Sequence, residues 1–324
     1  VVGAGAAGLM AAGRASGCGA RVLLLEKMER AGRKLRITGK GRCNITNDRE
    51  VVDFLRHVHP NGRFLRHAFS QFYHEEMLSL LESLGVKTKL ERGGRYFPAS
   101  DKAIDVVEAL VQWNREQGTE ILTHTPVQEV ITENGQVQGV RVKDRIIVTS
   151  RLILATGGKS YPATGSTGDG YLMAEACGHT LVPVRPALVP LETANTIPET
   201  LKDLTLKNIR ATLRINGKKA ADQFGELMFI PTGLSGPVIL TLSRDAVEAL
   251  AKDRQVTITV DLKPALDDPK LDARLLRDLD ANGKRSLASM FHSWLPSPLV
   301  PVFLDILNLD PAKACHQVAA NERK

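Results

Sequence analysis

Val1-Val2-Gly3-Ala4-Gly5-Ala6-Ala7-Gly8 is the stretch that leaves this chain the fewest folds to choose from. It reads as the end of a buried strand that turns through glycine into a helix. Arg21-Val22-Leu23-Leu24-Leu25-Glu26 reads as the next strand, closed by an acid. Strand, glycine turn, helix and strand in that order form the opening of a doubly wound α/β domain. Each glycine has its own task in holding a dinucleotide. Gly3 permits the tight turn, Gly5 lets a pyrophosphate come close where a Cβ would collide with it, and Gly8 lets the helix pack against the strand. The unpaired N–H groups of the helix start, together with the helix dipole, then face the phosphates. Glu26 stands about 20 residues beyond Gly3, the spacing at which an acid accepts hydrogen bonds from an adenosine ribose.

The remaining numbers bound the answer more loosely. A chain of 324 residues has room for two or three domains, and 43% hydrophobic with 24% charged residues is ordinary for a globular protein. The formal charge of +7 permits an anionic partner, nucleic acid included, without demanding one. Cys18, Cys43, Cys177 and Cys315 stand far apart with no CxxC, which argues against a zinc site, an iron–sulfur site or a CxxC redox disulfide and fits a reducing cytoplasm. No apolar run approaches the roughly 20 residues of a membrane span, so no membrane association is expected. A start inside a strand, without methionine, is what a fragment at its N-terminus would show.

The order of patterns predicts three regions: a Rossmann-like domain over 1–188, an inserted antiparallel, barrel-like domain over 189–265, and a helical subdomain over 266–324. Within the first, residues 31–47 have neither helical nor strand periodicity and read as a long polar loop beside the ribose acid. Residues 51–84 read as helices with a basic, solvated face carrying Arg56, Arg63, Arg66 and four histidines; an RNA-facing patch is the minority reading. Ser100 or Asp101 is placed to cap a helix running to about Gln117. Strands at 127–132 and 137–142 flank Asn134-Gly135, a hairpin signal, and 146–150 extends it to a meander. Arg151-Leu-Ile-Leu-Ala-Thr-Gly-Gly158 reads as another buried strand ending in a flexible turn.

Four segments together carry a family resemblance: residues 2–8, Gly32-Arg-Lys with Gly39-Lys-Gly-Arg-Cys-Asn-Ile-Thr-Asn47, Ala155-Thr-Gly-Gly-Lys-Ser-Tyr-Pro162, and Thr164-Gly-Ser-Thr-Gly-Asp-Gly-Tyr171. The chain resembles, over essentially its whole length, the BaiN-like (YhiN-type) flavoprotein family of NAD(P)/FAD-dependent oxidoreductases. The resemblance implies FAD in a glutathione-reductase-like fold. By that likeness Gly3, Gly5, Ala6, Ala7 and Gly8 hold the pyrophosphate and Glu26 the ribose. Lys27 and Arg33 flank the adenosine end, and Lys34, Gly39, Gly41 and Arg42 run toward the flavin. Val127 sits near the adenine, and Thr156 and Gly157 pass close to the cofactor. Family members end with a further cofactor-binding segment that nothing after Lys324 matches, so a truncated chain is expected to hold FAD poorly.

A reduced flavin delivers hydride from N5 to a polarised double bond, with an acid protonating the neighbouring carbon and NADH or NADPH as possible electron donor. Cys43 is a candidate for that acid, or else a small buried core residue. Asn44 and Asn47 either bind carbonyl or amide edges of a substrate or tie their loop to itself. Asp169 either accepts hydrogen bonds from the cofactor or caps the next helix, and Arg42 either draws in an anion or pairs with a nearby acid. Three functions follow from the resemblance and the charge: an FAD-dependent reductase of uridine in ribosomal RNA, an FAD-dependent oxidase or enoate-type reductase of a small molecule, and a non-enzymatic nucleotide- or RNA-binding module on the same fold. The oligomeric state is not legible.

Overall fold

The computed structural model describes residues 1–323. The chain divides between Val182 and Pro183 into two compact units.

The first unit is built on four parallel strand segments in the order 152–155, 1–3, Leu23–Leu25 and Glu120–Leu122. Val2 bridges both Leu25 and Leu154, and Leu23–Leu25 pairs in register with Glu120–Leu122. Alternation along the strands divides the apolar side chains between two cores. Ala4 and Leu24 join Leu9 of the Ala6–Gly17 helix and Val106 and Leu110 of the Ala103–Glu116 helix on one face. Val2 and Leu25 meet Val130, Val140, Val142 and Met173 on the other. Gly13 brings the two helices together, since a Cβ there would lie 2.4 Å from the Trp113 ring. Fully buried Asn114 adds a hydrogen bond from Nδ2 to the Leu9 carbonyl at 2.9 Å. The second core is closed by the antiparallel meander Glu129–Glu133, Gln136–Val142 and Arg145–Val148, with Asn134 and Gly135 both at positive φ in the first turn.

Three expectations for this unit need correction. Residues 151–155 are in the sheet, at its edge among the described residues, where Ile153 and Leu154 are 44% and 37% exposed. The stretch 31–47 contains the short helix Arg33–Ile37, started by Gly32 in the left-handed conformation, and Thr46–Asn47 pairs with Arg95 and Tyr96. A helix of little more than one turn is too short to show a period. The Ala103–Glu116 helix has no side-chain cap, because Asp101 gives its carboxylate to Arg42 and Lys89 instead.

The second unit carries a five-stranded antiparallel sheet in the order Val256–Asp261, Thr205–Ile215, Lys218–Ile230, Gly233–Ser235, Leu191–Glu192. Asn216-Gly217 makes the hairpin turn between its two long strands, both at positive φ. Ile209, Ala211 and Leu213 alternate inward against Ile239, Leu242 and Ala246 of the Pro237–Leu250 helix. The Asp268–Ala281 helix, capped by the Asp267 carboxylate on Lys270 N at 2.9 Å, and the helices Leu287–Phe291 and Leu299–Ile306 add Leu279, Met290 and Leu304 to that same core. Among the described residues no helix is long and apolar enough to cross a membrane.

Candidate functional site

The carboxyl ends of the parallel strands open into a cavity of about 520 Å3, within the range roughly 300–1,000 Å3 of small-molecule and cofactor sites. The glycine turn forms its floor, and the three glycines occupy very different surroundings. A Cβ on Gly8 would stand 1.7 Å from the Gly3 carbonyl oxygen. A Cβ on Gly3, whose φ is +96°, would stand 2.6 Å from the Ala155 carbonyl oxygen. A Cβ on Gly5 would meet nothing within 4 Å. Gly3 and Gly8 are therefore closed by packing, while Gly5 looks onto open space. Gly5 is also the N-cap of the Ala6–Gly17 helix, in extended conformation, and no side chain caps that helix or places an acid in its first turn. The first-turn N–H groups are left for an anion.

Glu26 closes one side. Its Oε2 accepts from the Ala4 N–H at 2.8 Å and its Oε1 from the Met28 N–H at 2.9 Å. Each carboxylate oxygen has lone pairs to spare, so the group is oriented by the backbone and still able to accept from hydroxyls in the cavity. Next in the chain, Lys27 Nζ donates to Asp169 Oδ2 and to Thr167 Oγ1, both at 2.6 Å. Asp169 is the first residue of the Asp169–Ala176 helix. Partial burial pushes its carboxyl up, but hydrogen bonds from Lys27 and Thr167 outweigh that and hold it below the usual carboxylate range. Arg33 ties Glu29 (2.6 Å) to the Ala163 carbonyl (2.9 Å), and Lys34 donates to the Ser160 carbonyl at 2.7 Å. Burial lowers the Lys34 ammonium from its ordinary value. These two side chains fasten the 160–163 turn to the helix that begins at Arg33.

Of the residues expected around the cofactor, Gly3, Gly5, Ala6, Ala7, Glu26, Lys27, Arg33, Lys34, Val127, Thr156, Gly157 and Asp169 line this one cavity. Gly8 lies beneath its floor. Gly39, Gly41 and Arg42 do not line it. Arg42 pairs with Asp101 (Nε to Oδ1, 2.7 Å) and Glu91 (2.5 Å) and lies over the Phe97 ring at 4.2 Å. Its hydrogen bonds to Glu91 and Asp101 raise its guanidinium above the ordinary value. Nor do Cys43, Asn44 or Asn47 line the cavity. Cys43 is 1% exposed in the core with Ala4, Leu9 and Ala103, where burial pushes its thiol up against a weaker opposing hydrogen bond from Thr38. Asn47 ties its own loop, Nδ2 donating to the Gly93 carbonyl at 2.9 Å and Oδ1 accepting from Arg49 N at 3.1 Å. Asn44 is exposed.

The lining also includes Thr38, Thr125, Ala155 and Ser166, none of them expected as site residues. Ser166 lies within the Thr164–Tyr171 segment, and its Oγ would be 2.8 Å from a Cβ on Gly157, so its place beside the second glycine turn had a signal in the sequence. Thr38 lies within the polar stretch 31–47 set beside the ribose acid, whereas Thr125 had no signal, because it reaches the cavity only through long-range packing.

The cradle fits the pyrophosphate-and-ribose part of a dinucleotide cofactor: an open approach at Gly5, uncapped amides behind it and an oriented carboxylate beside it. Comparison with known proteins agrees. The family model described as "HI0933-like protein Rossmann domain" matches residues 1–284. The chain is 31% identical over 313 residues to the 3-dehydro-bile acid delta(4,6)-reductase of Clostridium scindens, covering 95% of this chain and 75% of that one. It is 28% identical over 309 residues to the ribosomal RNA dihydrouridine synthase of Haemophilus influenzae, covering 94% and 73%. The Escherichia coli protein of that same name is 28% identical over 302 residues, covering 93% and 71%.

Proposed function

The chain belongs to the HI0933-like Rossmann-domain family and is an FAD-dependent oxidoreductase, and from that premise we propose that it reduces a carbon–carbon double bond conjugated to a carbonyl. The substrate in this reading is the 5,6 double bond of uridine in ribosomal RNA, with NADH or NADPH as electron source and the cytoplasm as its compartment. The observation that carries the cofactor half is Gly5, open where Gly3 and Gly8 are closed. The substrate half is supported by the two relatives named for ribosomal RNA dihydrouridine.

FAD, when bound, supplies hydride chemistry at N5. The residues of the chain bind and orient it. First-turn amides of the Ala6–Gly17 helix take the pyrophosphate, Glu26 takes the ribose hydroxyls, and Val127 offers an apolar contact to the adenine. The Lys27–Asp169–Thr167 cluster fixes the mouth of the second glycine turn, so Thr156 and Gly157 keep their places in the wall. Cys43 is closed off in the core, so the proton that completes the reduction comes from another donor. Small conjugated ketones form the second reading, favoured by the 31% identity to the bile acid reductase.

Two measurements test this. Full-length protein shows an oxidised flavin spectrum that NADH or NADPH bleaches under anaerobic conditions. Ribosomal RNA from a deletion strain lacks a reduced uridine by mass analysis. Unchanged ribosomal RNA, together with flavin reoxidation by an enone, moves the assignment to the small-molecule reading.

A further inference from the structure

Residues 54–74 hold Arg56, Arg63 and Arg66 and four histidines without a single Asp or Glu. Three short elements, the helix Val51–Arg56, the 3₁₀ turn Gly62–Leu65 and the helix Arg66–Gln71, fold this stretch around a cleft of about 460 Å3. Arg56, Arg63 and Arg66 line it together with Val52, Leu55 and Val58. The cleft is firmly built. Phe54 packs edge-on to Phe69 at 5.6 Å and to Tyr73 at 5.7 Å, and Tyr73 donates its hydroxyl to the Arg49 carbonyl at 2.7 Å. Gly62 is packed so tightly that a Cβ would stand 2.0 Å from the Leu55 carbonyl oxygen.

Charge is what distinguishes this cleft. Arg33, Arg42 and Arg49 each have an acidic partner. Among the described residues Arg56, Arg63 and Arg66 have none, and all three are exposed. The acid on the same helix, Asp53, is already engaged by Arg49. Three guanidinium groups around one cleft repel one another unless an anion offsets them. Phe64, next to Arg63 on the 3₁₀ turn, does not line the cleft but stands beside it, 80% exposed. Unpaired cations, an apolar floor and an exposed ring exceed what a single phosphate requires. They match a strand whose successive phosphates meet arginines while an unstacked base lies on an aromatic face.

We propose that this cleft docks single-stranded RNA, with Arg56, Arg63 and Arg66 on the phosphates and Phe64 stacked on a base. The proposal deepens the uridine reading and rests on it for the choice of RNA among polyanions.

The test is fluorescence anisotropy of a labelled oligouridylate of about 12 nucleotides, within the usual site size, titrated with FAD-loaded full-length protein. Triple replacement of the arginines by alanine is expected to weaken binding at least about tenfold at low salt, and to reduce the slope of log K against log salt by about 2, the value for three contacts to a single strand. Triple replacement by lysine keeps most of the affinity. Phe64→Ala weakens binding roughly tenfold and leaves the slope unchanged. The flavin spectrum, unaltered in every variant, reports that each is folded. The cleft assignment is overturned if the alanine triple binds with native affinity and slope, if the native protein does not bind the oligonucleotide, or if inorganic phosphate competes as well as RNA while Phe64→Ala is silent. The uridine reading is judged separately: its failure is ribosomal RNA whose reduced uridine survives deletion of the gene, whereas failure of the cleft alone is a deletion strain that the alanine triple restores in full.

Discussion

Two basic regions of the first unit use their charge in opposite ways. Around the large cavity the cations are tied down: Lys27 to Asp169 and Thr167, Arg33 to Glu29 and a carbonyl, Lys34 to Ser160. Nearby, Arg42 is held between Glu91 and Asp101. In the cleft between residues 52 and 66 the arginines face solvent without acidic partners among the described residues. Lysine and arginine at the cavity act as fasteners that hold the walls, and contact with an anion falls to backbone amides at the helix start. In the cleft the side chains themselves are free for a ligand. A net charge of +7 contains both uses and distinguishes neither.

If the cavity is a fastened scaffold around one open glycine, changes to its fasteners should cost stability in proportion to how tightly each is packed. Gly8→Ala is the harshest. Its Cβ is driven against a backbone carbonyl that has no room to retreat, and a loss of about 3 kcal/mol or outright failure to fold is expected in urea unfolding. Glu26→Ala comes next. It leaves the N–H of fully buried Ala4 without its acceptor, and about 2 kcal/mol is expected, with loss of flavin at the same time. A Glu26→Ala protein as stable as the native one would show that the carboxylate does not organise the turn.

Cys43 sharpens the contrast between site and core. Cys43→Ser places a hydroxyl in an apolar pocket and should cost about 1 kcal/mol while leaving the flavin spectrum intact. In the native protein Cys43 should resist thiol reagents, which need a thiolate and access, while exposed Cys18 reacts. A rapid reaction at Cys43 would return it to the list of candidate acids.

The Lys27–Asp169 pair gives the smallest effect, because both side chains are partly exposed. The carboxyl is held below its usual range, so its stabilising contribution is present at neutral pH and is lost as pH falls through that lowered value. Asp169→Asn should lower stability by roughly a few tenths of a kcal/mol at neutral pH after solvent screening. The gap from the native protein should close in thermal melts as pH falls below the ordinary aspartate range. A gap that persists in acid would mean that the pair's charge is not what holds the second turn.

The first turn was legible because it is local: a strand end, three glycines, a helix and an acid all lie within 26 residues, and each has a single steric or polar reason. The meander and the long hairpin were legible through period-2 alternation and Asn-Gly turns. What failed to show was long-range. Arg42 finds its acids 49 and 59 positions away, so of the two readings open for it, anion site or ion pair, local sequence could not choose the ion pair that forms. Asp101 looked like a helix cap, but Arg42 and Lys89 hold its carboxylate instead. Thr125 enters the cavity lining only because the strands and turns around it converge. The exposure of Ile153 and Leu154 among the described residues was not legible, because an apolar run reads alike whether or not another element covers it.

The most direct test is the visible spectrum of full-length native protein and Gly5→Val, purified side by side and compared in thermal melts. Gly5 has extended backbone and open space beyond its α-carbon, so the variant should melt within about 0.5 kcal/mol of native stability. The native protein should be yellow, and Gly5→Val colourless and unable to take up added FAD. A Gly5→Val protein that retains flavin as the native one does, or a native protein that never takes it up, would contradict the account.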